Sequence, residues 1–179
     1  MMKPWSKVIA ALVGVVMVST SAAAQAKSGG FSLGYTDIGP TVGLGNLGNA
    51  NLSIGGRFEH AIKALPDLGN GMLGIEASFD YYSYSNSVYS LKVIPLGVTA
   101  NYHFRLDNPK IDPFLGLGLG YQVYNCSYAN IGGLGCGNSA LYFIGRVGAR
   151  YFFAPSMAVY GDLGAGAATI NLGITFKLQ

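Results

Sequence analysis

Apolar and polar residues alternate with a period of two along most of the chain. The alternation is clearest in five segments, residues 51–62, 72–84, 113–124, 139–153 and 169–178. In the last of these, every even position from 170 to 178 is apolar. Because successive side chains of a β-strand point to opposite faces, the pattern predicts five strands, each with one apolar and one polar face.

Three weaker segments, residues 30–36, 89–104 and 157–163, complete a set of eight strands. Bacterial barrels that span a membrane have an even number of antiparallel strands, and about nine tilted residues suffice to cross. We therefore predict an all-β fold, an eight-stranded antiparallel up-and-down transmembrane β-barrel. Pro95 would remove a ladder hydrogen bond inside the fourth strand, so we expect a bulge or a local irregularity there.

The connections between the strands alternate in character. Three contain Pro or Asp and are predicted to be turns at the periplasmic end, at residues 63–71, 105–112 and 154–156. The other four are predicted to be surface loops, at residues 37–50, 85–88, 125–138 and 164–168. Short periplasmic turns and longer external loops are the rule in outer-membrane barrels, and two of the predicted loops are long and rich in Gly and Asn.

Charged residues of the predicted strands fall on the phase opposite the apolar residues. Four positive and four negative side chains share this phase, which predicts a balanced network inside the barrel: Arg57, Glu59, Glu76, Asp80, Arg146, Arg150, Asp162 and Lys177. An eight-stranded barrel is just wide enough for its side chains to fill, so this network would close the lumen. In the alternative, a soluble β-sandwich, the same charges would face water and the apolar phase would form the core.

Aromatic residues near the predicted strand ends favour the barrel, because aromatic belts mark the two membrane interfaces. The predicted periplasmic belt consists of Phe58, Tyr102, Phe104, Phe114, Tyr151, Phe153 and Phe176. The predicted outer belt consists of Tyr35, Tyr81, Tyr84, Tyr89, Tyr121 and Tyr124.

The first residues have the features of an export signal. Lys3 and Lys7 precede a short apolar run, and residues 24–26 read Ala-Gln-Ala, a small-x-small cleavage pattern. We expect residues 1–26 to be a cleaved signal peptide and residues 27–179 to form the barrel. The alternative, an uncleaved membrane anchor, has an apolar run shorter than the roughly 20 residues that a spanning helix needs.

Composition narrows the possibilities further. Charged residues make up 11% of the chain, against about 25% in an average soluble domain, and basic and acidic residues nearly balance after residue 26. That balance leaves no excess of positive charge for binding nucleic acid.

Cys126 and Cys136 are the two cysteines, and we expect a disulfide between them in an oxidising periplasm. A metal site at these cysteines lacks neighbouring ligands.

Three stretches resemble the small outer-membrane barrel family of the OmpA/OmpX type, which includes opacity-protein-like domains. They are residues 92–98 (KVIPLGV), 112–121 (DPFLGLGLGY) and 172–176 (LGITF). The resemblance implies a location in the bacterial outer membrane, in the Gram-negative envelope. It also implies contact with outer-membrane lipid and lipopolysaccharide, and recognition of the C-terminal strand by the barrel-assembly machinery. The resemblance does not specify a surface ligand.

No catalytic, cofactor or metal site is predicted. His60 and His103 both fall at the periplasmic end, away from the outer leaflet where lipid chemistry would take place, and His60 is on the lipid-facing phase. Ser78 with Asp80 is a conceivable pair, but inward polar residues more often satisfy one another. Residues 43–48 match Gly-x-Gly-x-x-Gly without the strand and helix that a nucleotide site needs.

These features predict a closed barrel that is not an enzyme and serves envelope integrity or adhesion. A narrow, porin-like diffusion channel is the alternative, since many inward glycines could leave gaps. A lipid A-modifying enzyme is a third possibility, based on precedent in the family.

Overall fold

The structure is a computed structural model that describes residues 30–87, 89–128 and 139–178. Eight strands follow one another, each antiparallel to the next, and β1 also pairs with β8 to close the barrel. The predicted fold class is thereby confirmed. The strands are β1 (Thr36–Leu44), β2 (Ser53–Leu65), β3 (Gly71–Ser85), β4 (Tyr89–His103), β5 (Ile111–Tyr128), β6 (Ala140–Ala154), β7 (Met157–Ala165) and β8 (Ile170–Leu178). No helix among the described residues is long and apolar enough to cross a membrane.

The first strand lies later in the chain than the sequence predicted. It covers Thr36–Leu44, whereas residues 30–36 were predicted as the strand and 37–50 as a loop. Gly39, Pro40 and Gly43 made the segment resemble a loop, although it alternates between buried and exposed positions. Pairing with β2 runs through Pro40, whereas the ladder with β8 omits Gly39 and Pro40. Pro has no N–H to donate to a ladder, which explains the gap.

Pro95 produces the expected local irregularity, but not a bulge. Its pairing with Gln122 on β5 is regular. On the β3 side, Phe79 pairs with Leu96 and Tyr82 pairs with Val93, while the two pairs between them are missing. The register is the same on both sides of this gap. The register shifts lie instead in the β2–β3 and β6–β7 pairs, near Ala61 and Phe152.

The barrel has two distinct ends. We call the end with the β2–β3, β4–β5 and β6–β7 connections the terminal end, because β1 begins and β8 ends there. The opposite end, with the other four connections, is the loop end. The β1–β2 connection is shorter than predicted, since β1 extends to Leu44 and β2 begins at Ser53. Most of the predicted loop at 125–138 lies outside the described residues.

The outer surface of the strands is apolar. Large hydrophobic side chains are exposed on every strand, among them Val42, Ile54, Phe79, Val98, Leu117, Val147, Val159 and Leu172. Buried positions alternate with these. On β1 they are Asp37, Gly39, Thr41 and Gly43, so that the interior positions of this strand are polar, charged or glycine. A water-soluble sandwich would have the opposite arrangement, with its apolar faces in contact. The barrel is therefore apolar outside and polar inside, which is the arrangement of a transmembrane barrel.

Not all of the predicted belt residues lie in an outward-facing belt. Tyr124 falls on the inward phase of β5 and packs against the buried cluster of Leu47, Tyr82, Val93 and Ala168. Phe114 is fully buried in the lumen, because it falls on the inward phase of β5. Tyr35 is buried at the terminal end and not in the outer belt, because it directly precedes β1, which begins at that end. Exposed aromatic rings at the terminal end do include Phe104, Tyr151 and Phe153.

Candidate functional site: the charged lumen

The lumen contains a dense set of buried charges. Seven of the predicted inward residues are at most 7% exposed, namely Arg57, Glu59, Glu76, Asp80, Arg146, Arg150 and Asp162. They lie on β2, β3, β6 and β7, whose inward phases meet across the narrow barrel. Desolvating so many charges is costly unless they are paired and hydrogen-bonded, and the structure pairs them in two clusters.

The first, which we call the terminal cluster, surrounds Arg150. Its guanidinium Nε lies 3.1 Å from Oδ2 of Asp37, and Nη1 lies 3.3 Å from Oδ2 of Asp112. Nη2 donates to Glu59. The rings of Phe31, Phe114 and Tyr160 lie 5.3, 5.5 and 5.6 Å from the guanidinium carbon. A fully buried cation is thus held by three carboxylates and three aromatic faces.

His103 is also part of the terminal cluster. Its Nε2 lies 2.8 Å from Oε1 of Glu59, and its Nδ1 lies 3.0 Å from both carboxylate oxygens of Asp112. Carboxylates accept hydrogen bonds but do not donate them when ionised. With both carboxylates ionised, both ring nitrogens donate, which describes an imidazolium between two carboxylates. The ring of Phe31 stacks on it with centroids 3.6 Å apart.

The second, which we call the central cluster, contains two arginines. Arg146 Nη1 lies 2.7 Å from Oε1 of Glu76 and 3.6 Å from Oδ2 of Asp162. Arg57 Nη1 lies 3.1 Å from Oδ1 of Asp80, and its Nη2 donates to Asn171 over 3.1 Å. The network is completed by Tyr160, whose hydroxyl donates to Asp162.

Asn101 joins the two clusters. Its side-chain Nδ2 donates to Oε1 of Glu59 over 2.9 Å and to Oε2 of Glu76 over 3.3 Å. Glu59 belongs to the terminal cluster and Glu76 to the central cluster. A continuous polar network therefore fills the lumen along much of its length.

The charges in the lumen do not balance as predicted. Lys177 lies on the inward phase but is exposed at the end of β8, where its ammonium lies 5.6 Å from the ring centroid of Tyr35. Asp37 and Asp112 are buried in the lumen instead, although the sequence placed them in a loop and a turn. The described lumen thus contains six carboxylates, three guanidiniums and His103. Following the alternation back through Pro40 would have identified Asp37.

Apolar layers cover the network at both ends. At the terminal end Tyr35, Ala61, Phe152 and Ala158 form a buried cluster, with Phe31 and Met72 packed against it. At the loop end a second cluster consists of Leu47, Tyr82, Val93 and Ala168. Leu47 comes from the β1–β2 connection, which therefore folds over the mouth. The charged network thus lies between two apolar clusters, and at the terminal end His103 and Asp112 also border an open cavity.

Two spaces adjoin this filled lumen. A cavity of about 340 Å³ opens at the terminal end, between residues 30–32 and the β4–β5 turn, with His103 and Asp112 among its lining residues. A much smaller space of about 10 Å³ lies among Arg57, Asp80 and the β7–β8 connection. The charged side chains between these spaces leave little room for a solute.

The other residues considered in the sequence have these positions. His60 is exposed on the outer face, and its Nδ1 lies 2.6 Å from Oγ1 of Thr36. Asp80 accepts from Arg57. Cys126 lies on β5, but Cys136 is outside the described residues, so the disulfide stays a prediction, as does the signal peptide at 1–26. In the part of the chain that the structure describes, no group of three or more His, Cys, Asp or Glu side chains is placed to hold a metal ion.

A closed barrel of eight strands with an apolar exterior and a charged interior is the fold of the small outer-membrane β-barrels. The structure of this chain is similar to that of Ail, the attachment invasion locus protein of Yersinia pestis, in complex with the heparin analogue sucrose octasulfate. The TM-score is 0.53 at 13% identity, over 80% of this chain and 93% of that one. It is also similar to the outer membrane protein OprG from Pseudomonas aeruginosa. Here the TM-score is 0.54 at 11% identity, over 84% of this chain and 98% of that one.

These likenesses concern the fold. No protein-family model matches the sequence, and no curated protein matches it either.

Proposed function

We propose that this protein is an integral protein of the bacterial outer membrane whose closed barrel holds its loops at the cell surface, in a role of envelope integrity or adhesion. The observation behind the proposal is the filled lumen. Arg150, Glu59 and Glu76 are fully buried, and a buried apolar cluster lies near each end of the barrel. A solute crossing this lumen would have to break several charge-assisted hydrogen bonds at once.

The likeness to Ail supports adhesion as one form of this role. The Ail structure contains a sulfated heparin analogue, a strongly anionic ligand. In this chain the described loop-end residues 45–52, 86–87 and 166–169 contain neither Lys nor Arg. Lys92 is exposed near that end of β4. We therefore propose a partner that does not depend on recognition of sulfate groups.

Single-channel recording tests the closed lumen. The chain without its predicted signal peptide is refolded into a planar bilayer, and its folding is established separately by resistance to protease. We expect no stable conductance steps from the folded protein. Discrete steps of porin size would contradict a closed lumen and favour a diffusion channel.

The excess of carboxylates predicts an ion selectivity for the alternative function, a diffusion channel. Six carboxylates face three guanidiniums and His103 in the described lumen, so a conducting form would favour cations. Reversal potentials in a salt gradient would measure that preference.

The third candidate, a lipid A-modifying enzyme, is tested by comparing lipid A masses from cells with and without the protein. We expect identical profiles, and a new acylation state would contradict this expectation.

A further inference from the structure

Three strands continue beyond the closed part of the barrel at the loop end. The ladder between β2 and β3 ends at Ile54 and Tyr81, and the ladder between β5 and β6 ends at Gln122 and Ala140. Past these pairs, β4 still pairs with β3 as far as Ser85 and with β5 as far as the end of that strand. Residues 82–85, 89–93 and 124–128 thus form a three-stranded extension of the barrel, which we call the projecting sheet.

The projecting sheet reverses the polarity of the barrel. Just below it the outward side chains are apolar and exposed, as at Leu96, Tyr121 and Val123. Within it the outward side chains are polar, namely Ser83, Ser85, Ser90, Lys92, Asn125 and Ser127. The inward side chains are instead aromatic or aliphatic at Tyr82, Tyr84, Tyr89, Leu91, Val93 and Tyr124. A polar outer face does not suit hydrocarbon, so the projecting sheet stands in water above the membrane.

The inner face of the projecting sheet has a buried lower tier and a half-buried upper tier. Tyr82 in the lower tier belongs to the buried loop-end cluster, together with Leu47 from the β1–β2 connection. Above it Tyr84, Tyr89 and Leu91 are half-buried. Because Tyr84 and Tyr89 lie on the inward phase, they are not part of the predicted outer belt, and their rings face the space above the lumen.

The two rings of the upper tier are held in place. Their centroids lie 5.8 Å apart, with the Tyr84 and Tyr89 planes inclined by 52°. Nδ2 of Asn49 donates to the Tyr89 hydroxyl over 3.2 Å, and the backbone N–H of Tyr89 donates to Oδ1 of Asn86 over 2.8 Å. Aromatic rings ordered before binding lose little conformational entropy when a ligand packs against them.

Charge is absent from the sequence around this face. The four loop-end connections, residues 45–52, 86–88, 129–139 and 166–169, contain no Asp, Glu, Lys, Arg or His. Lys92 is the one charged residue in the sequence of the projecting sheet, and it lies on the outer face. A charged ligand on the inner face would lose hydration without gaining a partner of opposite sign. The face therefore suits an uncharged ligand.

The size of the upper tier limits the ligand further. Neighbouring strands lie about 4.8 Å apart and alternate residues of a strand about 7 Å apart. Three strands and two tiers thus span about 10 Å by 7 Å, which is the size of one or two pyranose rings. This is about a tenth of the roughly 800 Å² that a stable protein partner covers.

We propose that the inner face of the projecting sheet binds a neutral pyranose sugar, with the C–H face of the sugar against the rings of Tyr84 and Tyr89. The weakly positive C–H bonds of a pyranose match the negative face of an aromatic ring. The sugar hydroxyls exchange hydrogen bonds with the tyrosine hydroxyls and the amide of Asn49, which both donate and accept. The proposal rests on the surface role proposed above and gives adhesion a ligand class.

Three neutral probes of different stereochemistry test the proposal: methyl β-D-glucopyranoside, methyl β-D-galactopyranoside and methyl α-D-mannopyranoside. Saturation-transfer NMR with the folded protein in lipid nanodiscs detects binding, and empty nanodiscs give the background. We expect at least one probe to bind saturably. The uronic acid of the same sugar, in which a carboxylate replaces the CH₂OH group, is expected to bind several-fold more weakly, since its charge finds no partner.

Matched variants locate the site. Tyr84→Ala removes one ring and should lower the affinity about tenfold, whereas Tyr84→Phe keeps the ring and should retain most of it. Tyr121→Ala is the control, because Tyr121 is 44% exposed on the outward phase of β5. Lys92→Gln removes the cation from the outer face and should leave the affinity for the neutral sugar unchanged. Protease resistance establishes that each variant is folded.

Three results would overturn the proposal. The first is no binding of any of the three glycosides by folded protein, which would favour a protein partner. The second is an equal loss in Tyr121→Ala and Tyr84→Ala. The third is a uronic acid that binds as tightly as the neutral sugar and is weakened by Lys92→Gln, which describes an anion site at Lys92. The comparison of neutral and acidic sugars holds even if Tyr84→Ala does not fold. None of these results bears on the closed lumen, which single-channel recording tests separately.

Discussion

The Nε2 atom of His103 lies 2.8 Å from Oε1 of Glu59, although 44 residues separate them in the sequence. This contact joins β4 to β2 across the lumen, with β3 between them in the sheet. Glu59 also accepts from Arg150 on β6 and from Asn101 on β4. A single carboxylate therefore connects three strands and fixes the terminal half of the lumen.

The first prediction concerns the protonation of His103. Because its two nitrogens face carboxylates of Glu59 and Asp112, both should carry a proton at neutral pH. Nitrogen-15 NMR of the labelled side chains distinguishes an imidazolium from a neutral ring. His60→Gln assigns the two histidine signals, since the chain has two histidines. A pyridine-type nitrogen signal from His103 at pH 7 would contradict the geometry and indicate a proton on one of the carboxylates.

The second prediction compares two cations on the inward phase. Arg150→Met leaves three carboxylates facing His103 alone, and loss of one partner from a buried ionic cluster costs about 3–5 kcal/mol. Lys177→Met removes an exposed ammonium from the ring of Tyr35, which should cost less than about 1 kcal/mol. Urea unfolding in lipid vesicles measures both free energies. Similar losses in the two variants would show that Lys177 belongs to the buried network after all.

The sequence predicted the strands well where alternation was long and uninterrupted. For β3, residues 72–84 were predicted and Gly71–Ser85 is observed. The alternation also assigned Arg57, Glu76 and Arg146 to the inward phase. On β1, Gly39, Pro40 and Gly43 obscured the same pattern, because these residues are common in loops. The residue types of that segment suggested a loop, whereas its alternation of buried and exposed positions is that of a strand.

The partners inside the lumen could not be predicted in the same way. Arg150 and Glu59 are 91 residues apart, and their contact depends on the tilt and stagger of the closed sheet. A period of two gives the face of a strand but not the height of a residue along the barrel axis. This also explains why Lys177 was predicted inside the barrel. Its side of β8 was assigned correctly, but it lies at the end of the strand, where it is exposed.

The third prediction concerns closure of the barrel at Gly39. A Cβ there would lie 2.0 Å from the backbone oxygen of Ile174 on β8, so Gly39→Ala forces β1 and β8 apart. Strain of this kind typically costs about 1–3 kcal/mol. Gly56→Ala is the control, because its Cβ would meet the oxygen of Gly39 at an ordinary 3.6 Å. Urea unfolding should show a loss for Gly39→Ala that Gly56→Ala does not share, and equal stabilities would mean that the β1–β8 approach is looser than described.

The last prediction tests whether the apolar outer surface lies in lipid. Leu117 is 55% exposed in the middle of β5, and Leu68 is 60% exposed in the β2–β3 turn. In water the two sites would tolerate Arg about equally, since neither is buried. In a bilayer, Arg at the mid-plane of a barrel costs about 2–4 kcal/mol and near the interface at most about 1. We therefore expect Leu117→Arg, but not Leu68→Arg, to lower the free energy of unfolding in vesicles. Equal effects would place the β5 exterior outside the hydrocarbon layer and remove the basis for a membrane-spanning barrel.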